Sequence, residues 1–296
     1  MDMILMTTIL LFLGLCFGSF AGATVWRLRA RQLVEDKAGG EEVDKKELTK
    51  LLPLTQHRGA EDRSRCLSCG HQLAWFDLLP MVSWISTGGK CRYCKKKIGS
   101  FEPLIELGTA AFFVIFYLLW PQPLTSPPEI TQFVLWLIGG VMLIILLTYD
   151  LKWFLLPNRV MFPLIVVAVI YSGIKLTQAD DLQAALISLG GAVLILSGLY
   201  LFLWLISKGR WIGFGDIKLG LVLALFLADW KSAFLALFAA NLVGCLIVIP
   251  GLISGKLSRQ TQVPFGPMLI IGFVIAALFG QHIIDWYLST SSFLML

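Results

Sequence analysis

Apolar runs of about twenty residues recur along the chain, separated by short polar stretches, and twenty apolar residues in a helix are what a bilayer's hydrocarbon core requires. The runs predict spans over 3–25, 104–120, 131–149, 160–174, 182–206, 217–228, 233–253 and 265–287. The fourth and sixth are shorter than a straight crossing needs. The expected fold is an all-α polytopic membrane protein of about eight transmembrane helices. One sizeable polar stretch interrupts the pattern, and it divides the chain into an N-terminal anchor (1–25), a loop domain (26–103), a transmembrane domain (104–289) and a short tail (290–296).

Composition agrees with this picture: 57% of the 296 residues are hydrophobic and only 15% are charged. Charge changes it by supplying a direction. Of the 24 Lys and Arg, 15 lie between Arg27 and Lys97. Seven more fall in the loops on the same side, and only Lys175 and Lys231 fall opposite. Basic residues mark the cytoplasmic side, so both termini are expected outside and the large loop in the cytosol. Topology accounts for the basic loop, and no nucleic-acid partner is expected. The first run has no basic residue before it, and Arg27, Arg29 and Arg31 follow it, which predicts an uncleaved signal anchor.

Within the loop, 32–62 is densely charged. Glu42, Lys46 and Lys50 have the spacing of a short surface helix, with Gly39 and Gly40 interrupting it upstream. The expected structure is a solvated linker-helix. The second half of the loop carries Cys66-Leu67-Ser68-Cys69 and Cys91-Arg92-Tyr93-Cys94. Two C-x-x-C knuckles offering four thiolates match a tetrahedral structural zinc site, and a reducing cytosol disfavours disulfides. His71 beside the first knuckle reads as a surface histidine. Cys16 and Cys245 read as packing residues. Between the knuckles, Trp75 to Ile85 is apolar enough to form either the domain's own core or a bilayer-facing surface.

Two acids stand at span ends. Asp150 closes the third run, and Asp216 opens the sixth within Gly213-Phe214-Gly215-Asp216. Ionisable groups at the edge of the hydrocarbon are costly and usually serve a site. By topology both acids lie at the cytosolic face. Gly213 and Gly215 let the chain pass close to a second segment, and a carboxyl pair that shares a proton can activate water against an amide. These residues predict an aspartic protease at the membrane surface. Asp229 and Asp285 are expected to be solvated, and Glu102 and Glu106 either to pair with the basic loop or to line the site. The rival reading is an ion-coupled transporter, which would call for acids near the midplane and inverted repeats.

Motifs in a fixed order resemble the bacterial type IV prepilin peptidases, which are also N-methyltransferases and membrane aspartic proteases of the G-x-G-D type. They are Gly18-Ser19-Phe20 with Arg27, the twin knuckles, Gly89-Lys90-Cys91, Glu102-Pro103 with Glu106, Asp150 with Leu156-Pro157-Asn158, Gly213 to Lys218, and Pro264-Phe265-Gly266-Pro267. The chain departs from the family at Ala21-Gly22, where Leu-Asn is usual, and in a longer segment before the first knuckle. The resemblance implies that Asp150 and Asp216 are catalytic, and that Pro157, Asn158, Gly213, Gly215 and Lys218 support the catalytic loops. It further implies cleavage of prepilin or pseudopilin leaders at the cytosolic face of a bacterial cytoplasmic membrane, followed by S-adenosylmethionine-dependent methylation of the new N-terminus. A related protease without methyl transfer, acting on other signal peptides, is the alternative within the class.

Overall fold

The computed structural model describes residues 3–55, 63–255 and 263–294. Lys256 and Arg259, used above to assign a side, and His57 to Asp62 of the charged loop lie outside the described residues. All described elements are helical apart from two isolated bridges. Among the described residues, seven helices are long and apolar enough to cross a membrane. The sixth expected span is a 14-residue helix, about 21 Å long at 1.5 Å per residue and short of the hydrocarbon thickness. The chain divides into two compact units, Met1–Trp120 and Pro121–Leu296.

In the first unit, α1 (Met3–Ala38) runs well past the apolar stretch before Gly39 and a left-handed Gly40 (φ 82°) end it. It packs along α4 (Phe101–Leu118) through Gly14, Gly18 and Gly22, four residues apart. A Cβ on Gly14 would lie 2.5 Å from the Ala110 Cα, and one on Gly18 2.5 Å from the Glu106 Cα. Small residues on this period let two helices meet backbone to backbone. Beyond the apolar part, α1 carries α2 (Lys45–Leu51), capped at its N-terminus by Asp44. Leu48 and Leu51 of α2 are buried with Ala30, Leu33 and Leu54. Arg29 pairs with Glu47 at 2.7 Å. The expected solvated linker-helix is therefore a packed element. Glu42 precedes it, so the helical ion pair is made to α1 rather than along α2.

The apolar segment between the knuckles forms a 3-10 turn (Trp75–Leu78) and α3 (Val82–Ser86), neither with a buried residue. Trp75, Val82 and Ile85 are among the more exposed apolar side chains. Of the two readings, a domain core of its own does not form. Glu106 ties this segment to α4 by accepting the Met81 N–H at 2.8 Å. Glu102 accepts from Trp26 Nε1 at 3.0 Å.

The second unit contains α5 (Pro127–Trp153), α6 (Asn158–Thr177), α7 (Leu182–Val193), a π-helical turn (Leu194–Gly198), α8 (Leu199–Ser207), α9 (Phe214–Leu227), α10 (Trp230–Ile253) and α11 (Gly266–Leu294). Its core is an aromatic cluster that joins four helices. Trp136 of α5 stacks on Phe273 of α11 at 5.3 Å and meets Phe226 of α9 and Tyr171 of α6. The short α9 lies at the centre, with eight of its residues buried. Gly220 brings its backbone against the carbonyl of Leu196 in the π turn, and Ser197 Oγ donates to the Ile217 carbonyl at 3.0 Å. At the other end of α9, Lys175 Nζ donates to the Leu227 carbonyl at 2.7 Å, satisfying an orphan acceptor of the last turn. Asp229 is not the solvated acid expected. It caps α10 through the Ser232 N–H and accepts from Ser188 Oγ on α7 at 3.1 Å.

Gly220 generates a direct test. A methyl group there would meet main-chain atoms of the π turn, which cannot rotate away. Gly220→Ala is expected to lower stability by about 1–3 kcal/mol through overpacking. Gly173→Ala, where no atom lies near the added carbon, should leave stability unchanged or slightly raised. The thermal unfolding midpoints of the two purified variants provide the comparison.

Candidate active site and metal centre

Asp150 sits in the last turn of α5. The helix then closes on Phe154, a non-glycine residue in the left-handed region (φ 56°), whose N–H returns to the Asp150 carbonyl at 2.9 Å. This reversal sends Leu155-Leu156 back across the helix end, and Pro157 caps α6 at its N-terminus. Gly213 is extended and caps α9, which places Asp216 in that helix's first turn. Asp150 is buried (5% exposed) and Asp216 is half-buried, and the two carboxyls lie close enough to interact electrostatically.

A third segment, from far along the chain, completes the site. The Gly266 N–H, the first of α11, donates to Asp150 Oδ2 at 3.1 Å. A Cβ at position 266 would lie 2.7 Å from that oxygen, so the residue is glycine because of what it touches. Leu156 fills the space between this turn and α9. A Cβ on Gly215 would come within 3.1 Å of Leu156, and the Gly266 position is 3.6 Å from it by the same measure. Gly215 thus serves close approach, and neither glycine of the G-x-G-D segment has a positive φ. Both α9 and α11 present N-terminal turns to the acids, and helix N-termini favour negative charge. Lys218 Nζ donates to Asn158 Oδ1 at 2.6 Å and lies over the Phe162 and Phe214 rings. It therefore clasps the start of α6 to the start of α9. Asp150, Asp216, Pro157, Asn158, Gly213, Gly215 and Lys218 all converge here.

Sequence reading gave Gly266 no role beyond its place in a motif. The only signal was a glycine between two prolines at the head of an apolar run, which reads equally well as a turn.

In the first unit, the Sγ atoms of Cys66, Cys69, Cys91 and Cys94 all lie within 4.8 Å of one another, and Cys66 and Cys94 are 3.9 Å apart. A tetrahedron with 2.3 Å zinc–sulfur bonds has sulfurs about 3.8 Å apart, whereas a disulfide needs about 2.05 Å. The four residues therefore fit a closed metal site and do not form disulfides. The two knuckles have matching geometry. The amide of the residue four after the first cysteine bonds back to that cysteine's carbonyl (Gly70 to Cys66, Lys95 to Cys91, both 2.9 Å). Both residues are left-handed, at φ 71° and 59°. Gly70 was legible as a turn residue; Lys95 was not. Burial opposes charge on Cys91, but the amides of Cys94 and Tyr93 outweigh it and bring the thiol down to about 7. His71 stands outside the cluster, its ring 3.7 Å from that of Tyr93. Asp77 holds the second knuckle to the intervening turn. It is paired with Arg92 at 2.9 Å and accepts from the Tyr93 hydroxyl. Burial works against its charge, yet these partners keep its carboxyl below the ordinary range, so the tie persists at neutral pH.

A helical membrane protein with two acids held at three converging helix ends has the equipment of a membrane aspartic protease. Comparisons narrow the class. Residues 12–120 match the bacterial peptidase A24 N-terminal domain, and residues 137–249 match the type IV leader peptidase family. The chain is 31% identical over 292 residues to a prepilin leader peptidase/N-methyltransferase of Pseudomonas aeruginosa, covering 96% of this chain and 93% of that one. It is 33% identical over 236 residues to one from Aeromonas salmonicida (77% and 75%) and 29% identical over 229 residues to one from Bacillus subtilis (76% and 85%). No solved structure matches it. The chain belongs to the type IV leader peptidase family, and it is an enzyme of that family rather than a transporter.

The Gly266 contact can be probed directly. Gly266→Ala should force the Asp150 carboxyl to turn away from its donor while the helices remain packed. The expected result is normal accumulation with at least a tenfold loss of peptidase turnover, the scale on which a misplaced catalytic group is felt. Turnover assays on the purified variant, beside its unfolding midpoint, check both halves.

Proposed function

We propose that the chain cleaves the leader from prepilin-like proteins with Asp150 and Asp216 as the catalytic pair, and then methylates the new N-terminal amine. The observation that carries the proteolytic half is the convergence of the two carboxyls across 66 residues of sequence, with Gly266 donating to one of them. Two acids this close do not both ionise readily, so one holds a proton while the other is charged. The charged member takes a proton from water as its oxygen attacks the scissile carbonyl, and the neutral member protonates the carbonyl oxygen. The acid that took the proton from water then gives it to the departing nitrogen, while the other acid takes one back from a hydroxyl of the tetrahedral intermediate. The C–N bond breaks and releases the leader's carboxyl group and the new amine. Lys218 and Asn158 hold the α6 and α9 ends together during these steps, and Gly213 and Gly215 give the substrate strand and Leu156 room beside Asp216.

The distribution of Lys and Arg supports placing the acids and the cysteine domain on the cytosolic side of a bacterial cytoplasmic membrane. A substrate would leave its polar leader in the cytosol with its apolar helix alongside the spans. Zinc is the metal proposed for Cys66, Cys69, Cys91 and Cys94, because four thiolates make a closed, structural coordination set. The methyl donor, S-adenosylmethionine, enters through the relatives' name alone; it would supply the methyl group for the amine, and no residue is assigned to it.

Asp150→Asn and Asp216→Asn are each expected to abolish leader cleavage while the protein still inserts and accumulates, since an amide can take neither role in the proton exchange. Near-normal turnover of a prepilin substrate by either variant would remove the pair from the mechanism. For the cysteines, metal analysis of the purified protein should give one zinc per chain. The four thiols should resist alkylation until a chelator is added. Free reactivity of all four in the folded, metal-analysed protein would rule out a tetrathiolate site.

A further inference from the structure

Tyr200 is a buried tyrosine on α8, packed on the turn that starts α11, and the scheme above does not use it. It is 3% exposed, and its hydroxyl has no hydrogen-bond partner among the described residues. A phenol in that condition forfeits a hydrogen bond it would make in water, and tyrosines at buried positions ordinarily find a partner. Packing alone would be served as well by phenylalanine.

Its placement says what the hydroxyl is for. Tyr200 and Trp204 stand one turn apart on α8, which puts them on one face of that helix. Trp204 meets the ring of Phe214, two residues before Asp216, at 5.6 Å. Tyr200 meets the ring of Phe265, one residue before Gly266, at 5.5 Å. This face of α8 therefore bridges the two N-terminal turns that hold the carboxyls, and the Tyr200 phenol lies within electrostatic reach of Asp216. Ser197, in the π turn just before α8, is bonded to the residue after Asp216, so α8 is fixed to this end of α9 at two points.

We propose that Tyr200 is a further catalytic residue, whose O–H donates a hydrogen bond to the carbonyl oxygen of the scissile peptide as that oxygen becomes negative. The proposal rests on the Asp150–Asp216 reading. The bond changes of that reading stand: water adds to the carbonyl carbon, the protonated acid supplies the proton to the oxygen, and the C–N bond breaks. Tyr200 transfers no proton and keeps its own throughout. A donor that finds its acceptor only when charge develops stabilises the transition state over the ground state. Its lack of a partner without substrate fits that role.

The test uses the full-length purified protein and a prepilin substrate. Tyr200→Phe keeps the ring against Phe265. It is expected to leave the unfolding midpoint unchanged or higher, leave KM within about twofold, and lower kcat by roughly 10²-fold, as loss of one oxyanion donor does. Replacing Tyr200 with 3,5-difluorotyrosine keeps both shape and hydroxyl but makes the phenol more acidic. The fluorinated protein's kcat should return to within a few-fold of the unmodified enzyme, a rescue relative to Tyr200→Phe that a packing role would not produce. Asp216→Asn is run alongside. An inactive Asp216→Asn with Tyr200→Phe near full kcat overturns the role of Tyr200 and leaves the acids in place. An active Asp216→Asn overturns the pair, and the role of Tyr200 with it. A fluorinated protein as slow as Tyr200→Phe also counts against Tyr200.

Discussion

A carboxyl group removed from water at the edge of a bilayer must be given a donor, and for Asp150 that donor is a main-chain amide 116 residues further along the chain. Much of the second unit follows from meeting this need. A helix start leaves amides free to donate, and the first amide of α11, at Gly266, is the one used. A side chain at that position would collide with the carboxyl oxygen it serves, so the residue has none. Leu156 then fits against both Gly266 and Gly215, and the reversal after α5 that delivers Leu156 depends on Phe154 taking a left-handed conformation. The proposed active site is therefore three helix ends sharing one apolar side chain, with Lys218 and Asn158 closing the outer edge.

The helices were legible in the sequence because lipid leaves a chain so few options. A segment without water must satisfy its own amides, and an apolar run of the right length has one solution. The short sixth run was harder, because a helix fully surrounded by protein need not match the bilayer. α9 is such a helix, packed on the aromatic cluster around Trp136 and capped by Lys175. Asp150, Asp216 and the four cysteines were legible because their cost or spacing is local. Gly266, Tyr200 and the Lys218–Asn158 clasp were not, since each acquires meaning from a partner at least tens of residues distant. Asp229 was misjudged for a related reason: a cap and a solvated acid look the same until the helix start and Ser188 are in place. The packing of α2 on α1 escaped detection because a strongly charged segment hid two inward leucines.

The first unit follows the same economy with different chemistry. α1 and α4 touch backbone to backbone at glycines four apart, and Glu106 and Glu102 at the start of α4 are spent on the Met81 amide and the Trp26 indole. The apolar segment between the knuckles buries none of its side chains within the unit. The fold of this region is left to the cluster of four cysteines and to Asp77, whose bonds to Arg92 and Tyr93 join the second knuckle to the turn before it. A small domain without a core of its own needs such a staple.

The π-helical turn before α8 has a consequence for how this sequence can change. A π turn accommodates one more residue than an α turn, and each residue in a helix corresponds to about 100° of rotation. Tyr200 and Trp204 face α9 and α11 only in the phase that the extra residue sets. A single-residue deletion between Leu194 and Gly198 would restore regular helix and lengthen no loop. It would also swing that face toward lipid. In this stretch a deletion is more disruptive than most substitutions, and lineages descending from this chain should preserve its length before they preserve its letters.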